Sequence, residues 1–169
     1  MASVDGILSP GEWANAVHAE IVVAEDWKVT VLAQHDDKNL YLAFTGLRHG
    51  PAERYPEVLL DPAGEKSLLW RSGQWWLHAS HNLCDSNGKP NDYSNCQPSR
   101  PGWNATRFPT MNGISEISIS VEKMGMTIDK PFGIAFDVTD THTEWSMWPV
   151  AARLKIPMSW QPARLVNGK

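Results

Sequence analysis

The sequence predicts an all-β protein: an antiparallel β-sandwich of two sheets, jelly-roll or immunoglobulin-like in architecture, with a short N-terminal helix and one long loop. Two observations carry this. Apolar and polar residues alternate over short runs, most cleanly as Ile117, Ile119 and Val121 against Ser118, Ser120 and Glu122, the mark of a strand with one buried and one wetter face. About eight such runs are separated by Gly, Pro and Asp turns, and helical periodicity is nearly absent, so nothing supplies the crossover helices of a parallel sheet. The length of 169 residues suits one domain over 1–169 and is ample to bury a core.

The chain opens with Ser9-Pro10-Gly11-Glu12: a capping residue, proline at the first helical position and glutamate at the third. This predicts a short helix through Trp13 and Ala16. Val29, Val31 and Ala33 then alternate with Lys28, Thr30 and Leu32. Asp36-Asp37-Lys38-Asn39 turns the chain into Leu40-Tyr41-Leu42-Ala43-Phe44, a hairpin pattern. Further strands are expected over 57–61, 67–71, 74–82, 116–122, 132–138 and 162–166. From Leu83 to Gly113 no element is evident, and loops of that length tend to be functional or disordered.

Composition excludes several functions. With 42% hydrophobic residues, 20% charged residues and a net charge of −4, the chain lacks the basic surface that nucleic acid or an anionic membrane requires. No apolar run approaches the roughly 20 residues of a spanning helix. The opening Met1-Ala2-Ser3-Val4-Asp5-Gly6 lacks the parts of a signal peptide, so the chain is expected to be cytosolic or to have lost its signal. Cys84 and Cys96 flank a polar loop as a loop-closing disulfide would, with two free thiols as the alternative. A bridge implies an oxidising compartment, extracellular or periplasmic.

Nine tryptophans outnumber the four phenylalanines and three tyrosines together. Trp13, Trp27, Trp75 or Trp76 and Trp160 are explained by packing. Trp103 after Pro101-Gly102, and Trp145 and Trp148 before Pro149, fall in turn-like segments that belong on the surface. On the 74–82 strand, Trp76, His78 and Ser80 share one face and Trp75, Leu77, Ala79 and His81 the other, so His78 and His81 do not chelate one metal. His18, His35, His49 and His142 show no zinc spacing.

Four segments in order carry a resemblance: Asp5-Gly6 followed by Gly11-Glu12-Trp13; Asp36-Asp37-Lys38-Asn39-Leu40-Tyr41-Leu42-Ala43; Tyr55-Pro56-Glu57-Val58-Leu59-Leu60-Asp61-Pro62; and Phe132-Gly133-Ile134-Ala135-Phe136-Asp137-Val138. Together they resemble the family 9 carbohydrate-binding modules and their DOMON-like relatives. The resemblance implies a β-sandwich that clamps a sugar between two tryptophans, with Glu57, which matches the motif glutamate, bonding sugar hydroxyls. It also departs from the family: residues 48–55 offer no tryptophan for one jaw, so Tyr55 or another ring has to substitute.

A sugar presents apolar C–H faces and a belt of hydroxyls, which calls for flat aromatic surface and a few fixed polar groups. The expected ligand-binding set is therefore Trp103, Trp145 and Trp148 as platforms, with Glu57, Arg71, His78 and Asn82 as polar contacts and Tyr55 as the substitute jaw. Asp85, Asn87 and Asp92 give the polar loop the oxygen density that calcium takes. The loop lacks the spacing and terminal glutamate of an EF-hand, and a solvated turn is its plainer reading. No cofactor is required; a bound calcium would be structural, as in some members of the family. The expected partner is carbohydrate, with a neighbouring catalytic domain or subunit as a further one.

Catalysis is not expected. No pair of the 19 acidic residues is singled out by spacing, and there is no Gly-x-Ser-x-Gly elbow, phosphate-binding glycine loop or dinucleotide fingerprint. The leading alternative is electron transfer, because some DOMON-like sandwiches bind haem through methionine and histidine or lysine; Met111, Met124, Met126, Met147 and Met158 are the candidates. A third reading is an accessory interaction module of a larger glycan-active enzyme, with the loop tryptophans at an interface. The sequon Asn104-Ala105-Thr106 matters only in a eukaryotic secretory route.

Overall fold

Two antiparallel sheets face one another in a computed structural model that describes residues 2–48, 53–106, 111–140 and 145–166. The strands are β1 (Val17–Ala24), β2 (Trp27–His35), β3 (Asn39–Thr45), β4 (Tyr55–Asp61), β5 (Trp75–Ala79), β6 (Leu83–Asn87), β7 (Cys96–Gln97), β8 (Trp103–Ala105), β9 (Ile114–Ser120), β10 (Pro131–Thr139), β11 (Trp145–Trp148) and β12 (Gln161–Arg164). The five-stranded sheet runs β1-β2-β3-β9-β8; the seven-stranded sheet runs β11-β10-β4-β5-β6-β7, with β12 also paired to β10.

Strand alternation builds the core. Val58 and Leu60 of β4, Leu77 and Ala79 of β5, and Ile134, Phe136 and Val138 of β10 point inward against Val29, Val31, Leu42, Phe44, Ile117 and Ile119. The Asp36 carboxylate organises the β2–β3 hairpin by accepting the Lys38 and Asn39 N–H groups at 2.8 Å and the Tyr41 hydroxyl at 3.0 Å. Gly113, at φ +66, leads into β9 where a Cβ would lie 2.3 Å from the Leu47 carbonyl oxygen, so only glycine fits.

The opposite face of the seven-stranded sheet is also partly covered. Leu59, Trp76, Cys84, Ala135, Ala152 and Trp160 form a second apolar cluster there. The segment around the 3-10 turn Pro157–Ser159 lies over it: Trp70 Nε1 donates to the Leu154 carbonyl and the Met158 N–H to Ser67.

Four expectations are corrected. Residues 9–16 form successive turns and no helix, because Gly11 sits at φ +82, outside right-handed helical space, while Glu12 accepts the Ser3 and Ser9 N–H groups. Residues 67–71 are not a strand: the Gln74 side chain bonds the Arg71 N–H and the Ser67 hydroxyl instead. The stretch from Leu83 to Gly113 is no bare loop, since it contains β6, β7 and β8. Trp145 to Trp148, read as a turn, is β11. Helices long and apolar enough to cross a membrane are absent among the described residues.

Candidate functional site

Antiparallel register lines up three ionisable side chains across the middle of the seven-stranded sheet. Glu57 of β4 is paired with Asp137 of β10 on one side and with His78 of β5 on the other. All three point outward, with Leu59 and Trp76 in the next row, and all three are buried. The His78 ring lies parallel to Trp76 at 5.5 Å, meets Tyr93 edge-on at 5.3 Å and Tyr55 at 5.6 Å. His78 Nδ1 is 2.8 Å from Glu57 Oε1.

With water excluded, the charged forms are disfavoured. Burial pushes the Glu57 carboxyl up to about 8 and the His78 imidazole down to about 3. Asp137 is raised well above the usual carboxylate range by burial and then by the facing Glu57. At neutral pH the row is therefore a proton-holding floor of neutral groups. Burial also raises the phenol of Tyr93, and at the high pH where it titrates the then-ionised Glu57, Asp137 and Asp140 raise it further.

Above one end of this floor is an open cavity of about 430 Å³ lined by Tyr55, His78, Ser80, His81, Asn82 and Tyr93, with the disulfide at its side. β5 ends at Ala79, so strand alternation stops there. The following turn brings His81 to within 6.0 Å of the Tyr55 ring, on the side where the sequence expectation put only His78. The Tyr55 hydroxyl donates to Glu53 at 2.7 Å, and its phenol is pushed up to about 12 by burial and this bond. The ring is thereby fixed between the two histidines.

Tyr93 is held by the loop between β6 and β7, which is fastened at several points. Cys84 and Cys96 are bonded. Asp85 accepts Arg100 Nε at 2.5 Å and Nη2 at 2.7 Å, Trp103 Nε1 at 2.8 Å and Asn95 Nδ2 at 3.1 Å. The Ser86 hydroxyl bonds the Lys89 carbonyl, and Lys89 pairs with Asp92 at 2.9 Å. Tyr93 remains 40% exposed above this anchorage. Sequence reasoning missed it, although its place inside a cysteine-closed loop was the available signal.

The expected site residues separate. Tyr55, His78 and Asn82 come together around the cavity. Glu57 lies beneath them, wholly buried and bonded to His78, so it offers nothing to a ligand's hydroxyls in this arrangement. Arg71 stands at the far end of β5 from Asn82 and pairs with Glu65 at 3.8 Å. Trp103 is a core residue, 3% exposed, because β8 pairs with β9 and turns the indole inward onto Asp85.

Trp145 and Trp148 lie on opposite faces of β11, three residues apart on a strand. Trp148 packs between the sheets, stacked on Phe136 at 5.4 Å. Trp145 faces outward and is 43% exposed, beside a second depression lined by Met147, Val150, Ala152, Arg153 and Leu154. Register puts Trp145, Thr139 and Tyr55 in one row, so Trp145 and Tyr55 rise from backbones about 10 Å apart.

Asp85, Asn87 and Asp92 do not converge on a cation. The Asp85 carboxylate is filled by Arg100 and Trp103, Asn87 Oδ1 accepts the Gly73 N–H at 2.6 Å, and Asp92 accepts from Ser94. Among the described residues no group of three or more His, Cys, Asp or Glu is arranged to hold a metal. The methionines considered for haem are scattered: Met111 and Met158 are exposed. Met147 shares the His78 row but stands three strands away, about 14 Å, while Met124 and Met126 are in the core.

The fold is that of family 9 carbohydrate-binding modules. A module of that family from Caldicellulosiruptor kristjanssonii, solved in complex with cellotriose, matches over 100% of this chain and 91% of its own, with TM-score 0.70 and 13% identity. A module from the same organism in complex with glucose matches over 100% and 93%, with TM-score 0.70 and 12% identity. Neither a family model nor a curated protein matches the sequence.

Proposed function

We propose that this chain is a non-catalytic carbohydrate-binding module that holds a glycan on the outer face of its seven-stranded sheet. The observation that carries the reading is the open cavity walled by Tyr55, Tyr93, His81 and Asn82, with the exposed Trp145 indole two strands away. It combines aromatic surface with amide, hydroxyl and imidazole groups, the mixture that C–H faces and hydroxyls require. The solved modules sharing the fold were captured with cellotriose and glucose, which supports a β-glucan or its chain end as first ligand to try.

Tyr55 stands in for the missing tryptophan jaw and Trp145 supplies the other. Service as an accessory module of a glycan-active enzyme belongs to the same proposal, as does an extracellular or periplasmic setting, which the Cys84–Cys96 bridge supports.

Titration calorimetry with cello-oligosaccharides, following a glycan array, tests it. A stacked ring contributes on the order of 1–3 kcal/mol, so Trp145→Ala and Tyr55→Ala should each weaken binding about tenfold. Glycan binding that neither substitution weakens sinks the assignment.

A further inference from the structure

We infer that the glycan taken by the outer face is acidic, and that Arg153 holds a uronic acid unit of it beside Trp145. This rests on the reading of that face as a carbohydrate site and names the class of ligand. The depression beyond Trp145 has a volume of about 270 Å³, and Arg153 is the charged residue in its wall.

Local chemistry puts Arg153 there. Trp145 and Met147 share the outward face of β11. After the strand the chain turns back, the Ala152 N–H donating to the Pro149 carbonyl at 2.7 Å, and buried Ala152 joins the apolar cluster against which Met147 packs. Arg153 therefore follows on the side to which Trp145 points. Its backbone is fixed at both ends: the N–H donates to the Ser159 hydroxyl at 2.8 Å, and the carbonyl accepts the Ile156 N–H at 3.0 Å and Trp160 Nε1 at 3.1 Å. The guanidinium stays against the same wall, with Nη1 donating to the Ala152 carbonyl at 2.9 Å. It pairs with no carboxylate among the described residues, and most of its N–H donors remain open.

Charge singles out an acidic unit. The two segments that cover the outer apolar cluster, 62–74 and 149–160, carry Lys66, Arg71, Arg153 and Lys155 against Glu65 alone, in a chain whose net charge is −4. Beneath the face, burial keeps Glu57 and Asp137 protonated, so neither repels an anion. A field of cations over one face of an acidic protein draws anionic ligands to that face, and a planar guanidinium matches a carboxylate with two parallel hydrogen bonds. A pyranose stacked on the Trp145 indole sets its carboxylate in the depression that Arg153 walls. Trp145 and Tyr55 rise from backbones about 10 Å apart, so a ligand that meets both is an oligosaccharide.

The test is calorimetry in low-salt buffer with a cello-oligosaccharide and with the oligomer of equal length whose primary alcohols are oxidised to carboxylates. The oxidised oligomer should bind about fivefold tighter, and salt on the order of 0.5 M should remove the difference. Arg153→Gln should bring the ratio of affinities to about one, and Arg153→Lys should keep part of it. Arg71→Gln, at the far end of β5, should keep most of it. An oxidised oligomer bound no tighter than the neutral one, or a preference that survives Arg153→Gln, overturns the inference. Equal loss in Arg71→Gln does the same, since the preference then belongs to overall charge. Tighter binding of an O-sulfated oligomer than of the uronate overturns the carboxylate. If the neutral oligomer binds and oxidation gains nothing, the acidic class alone falls; if neither binds, the outer-face reading falls with it.

Discussion

Glu57→Gln tests whether the floor of the outer face holds protons at neutral pH. Complete burial pushes the Glu57 carboxyl from its ordinary 4.5 up to about 8, and the His78 imidazole from 6.5 down to about 3. Below about pH 4.5 Glu57 is protonated in both folded and unfolded chains, and its contribution to stability is fully present. As pH rises toward 8 the unfolded carboxyl ionises while the folded one stays protonated, so stability is lost. His78 acts in the opposite sense: the unfolded ring takes up a proton below 6.5 that the folded ring refuses, so its contribution is lost as pH falls from 6.5 toward 3. Between pH 6.5 and 8 the unfolded His78 ring loses its remaining half proton, a gain of only about 0.4 kcal/mol, so the carboxyls dominate. That interval, at about 1.4 kcal/mol per pH unit, is a loss of about 2 kcal/mol from Glu57, and Asp137, raised in the same direction, adds to it. Glutamine keeps the shape and a hydrogen bond to His78 but cannot ionise, and it removes a negative charge from beside Asp137. Urea titrations between roughly pH 5.5 and 8.5 should show wild-type stability falling by about 2 kcal/mol or more over the upper part of the range, with the variant falling by less than half as much. A level wild-type profile, or a variant that declines in parallel with it, would refute the neutral floor.

Two further outcomes follow from the anchorage of the β6–β7 loop. Asp85→Ala leaves the Arg100 guanidinium and the Trp103 indole N–H without their acceptor in a largely buried setting, which should cost about 3–5 kcal/mol in a denaturant titration; a loss near that of an exposed ion pair would show that the carboxylate is not an anchor. Replacing Cys84 and Cys96 together by serine releases a cross-link spanning 12 positions and should lower stability by about 3 kcal/mol. Glycan affinity should fall with it through the loosened Tyr93, and unchanged affinity would take Tyr93 out of the site.

Much of the frame was legible because strand periodicity and turn chemistry act locally. Asp36 caps its hairpin through neighbouring N–H groups, and the alternation of β9 is visible without a partner. Trp76 and His78 shared a face as period two requires. What failed depended on distant parts of the chain. Gly11 is a left-handed residue inside a good capping sequence. β6 reads as polar because Asp85, paired with Leu77 and turned inward with it, is satisfied by Arg100 and Trp103 from beyond the loop. Trp103 looked like a loop residue after Pro101-Gly102, yet three residues suffice to pair with β9 and turn the indole inward. Trp145 and Trp148 looked like a pair, and only their place on a strand shows that they face opposite ways.

The same register explains why the motif glutamate and the aromatic surface have different tasks. Glu57 lies in the row of Asp137 and His78, each within one strand of it, so a charge there would be buried beside a second carboxyl; the neutral form is the one the fold stabilises. A ligand above the cavity then meets Tyr55, Tyr93, His81 and Asn82 and does not meet Glu57. Tyr55 is set by Glu53 and by two histidine rings, and Tyr93 by a loop fastened through Cys96 and Asp85. Fixing the rings before binding reduces the ordering cost of association. On this reading Glu57 and His78 act as positioning residues for the aromatic walls. Glu57→Gln should therefore alter the pH profile of stability while leaving glycan affinity at neutral pH within about twofold, whereas Tyr55→Ala should do the reverse.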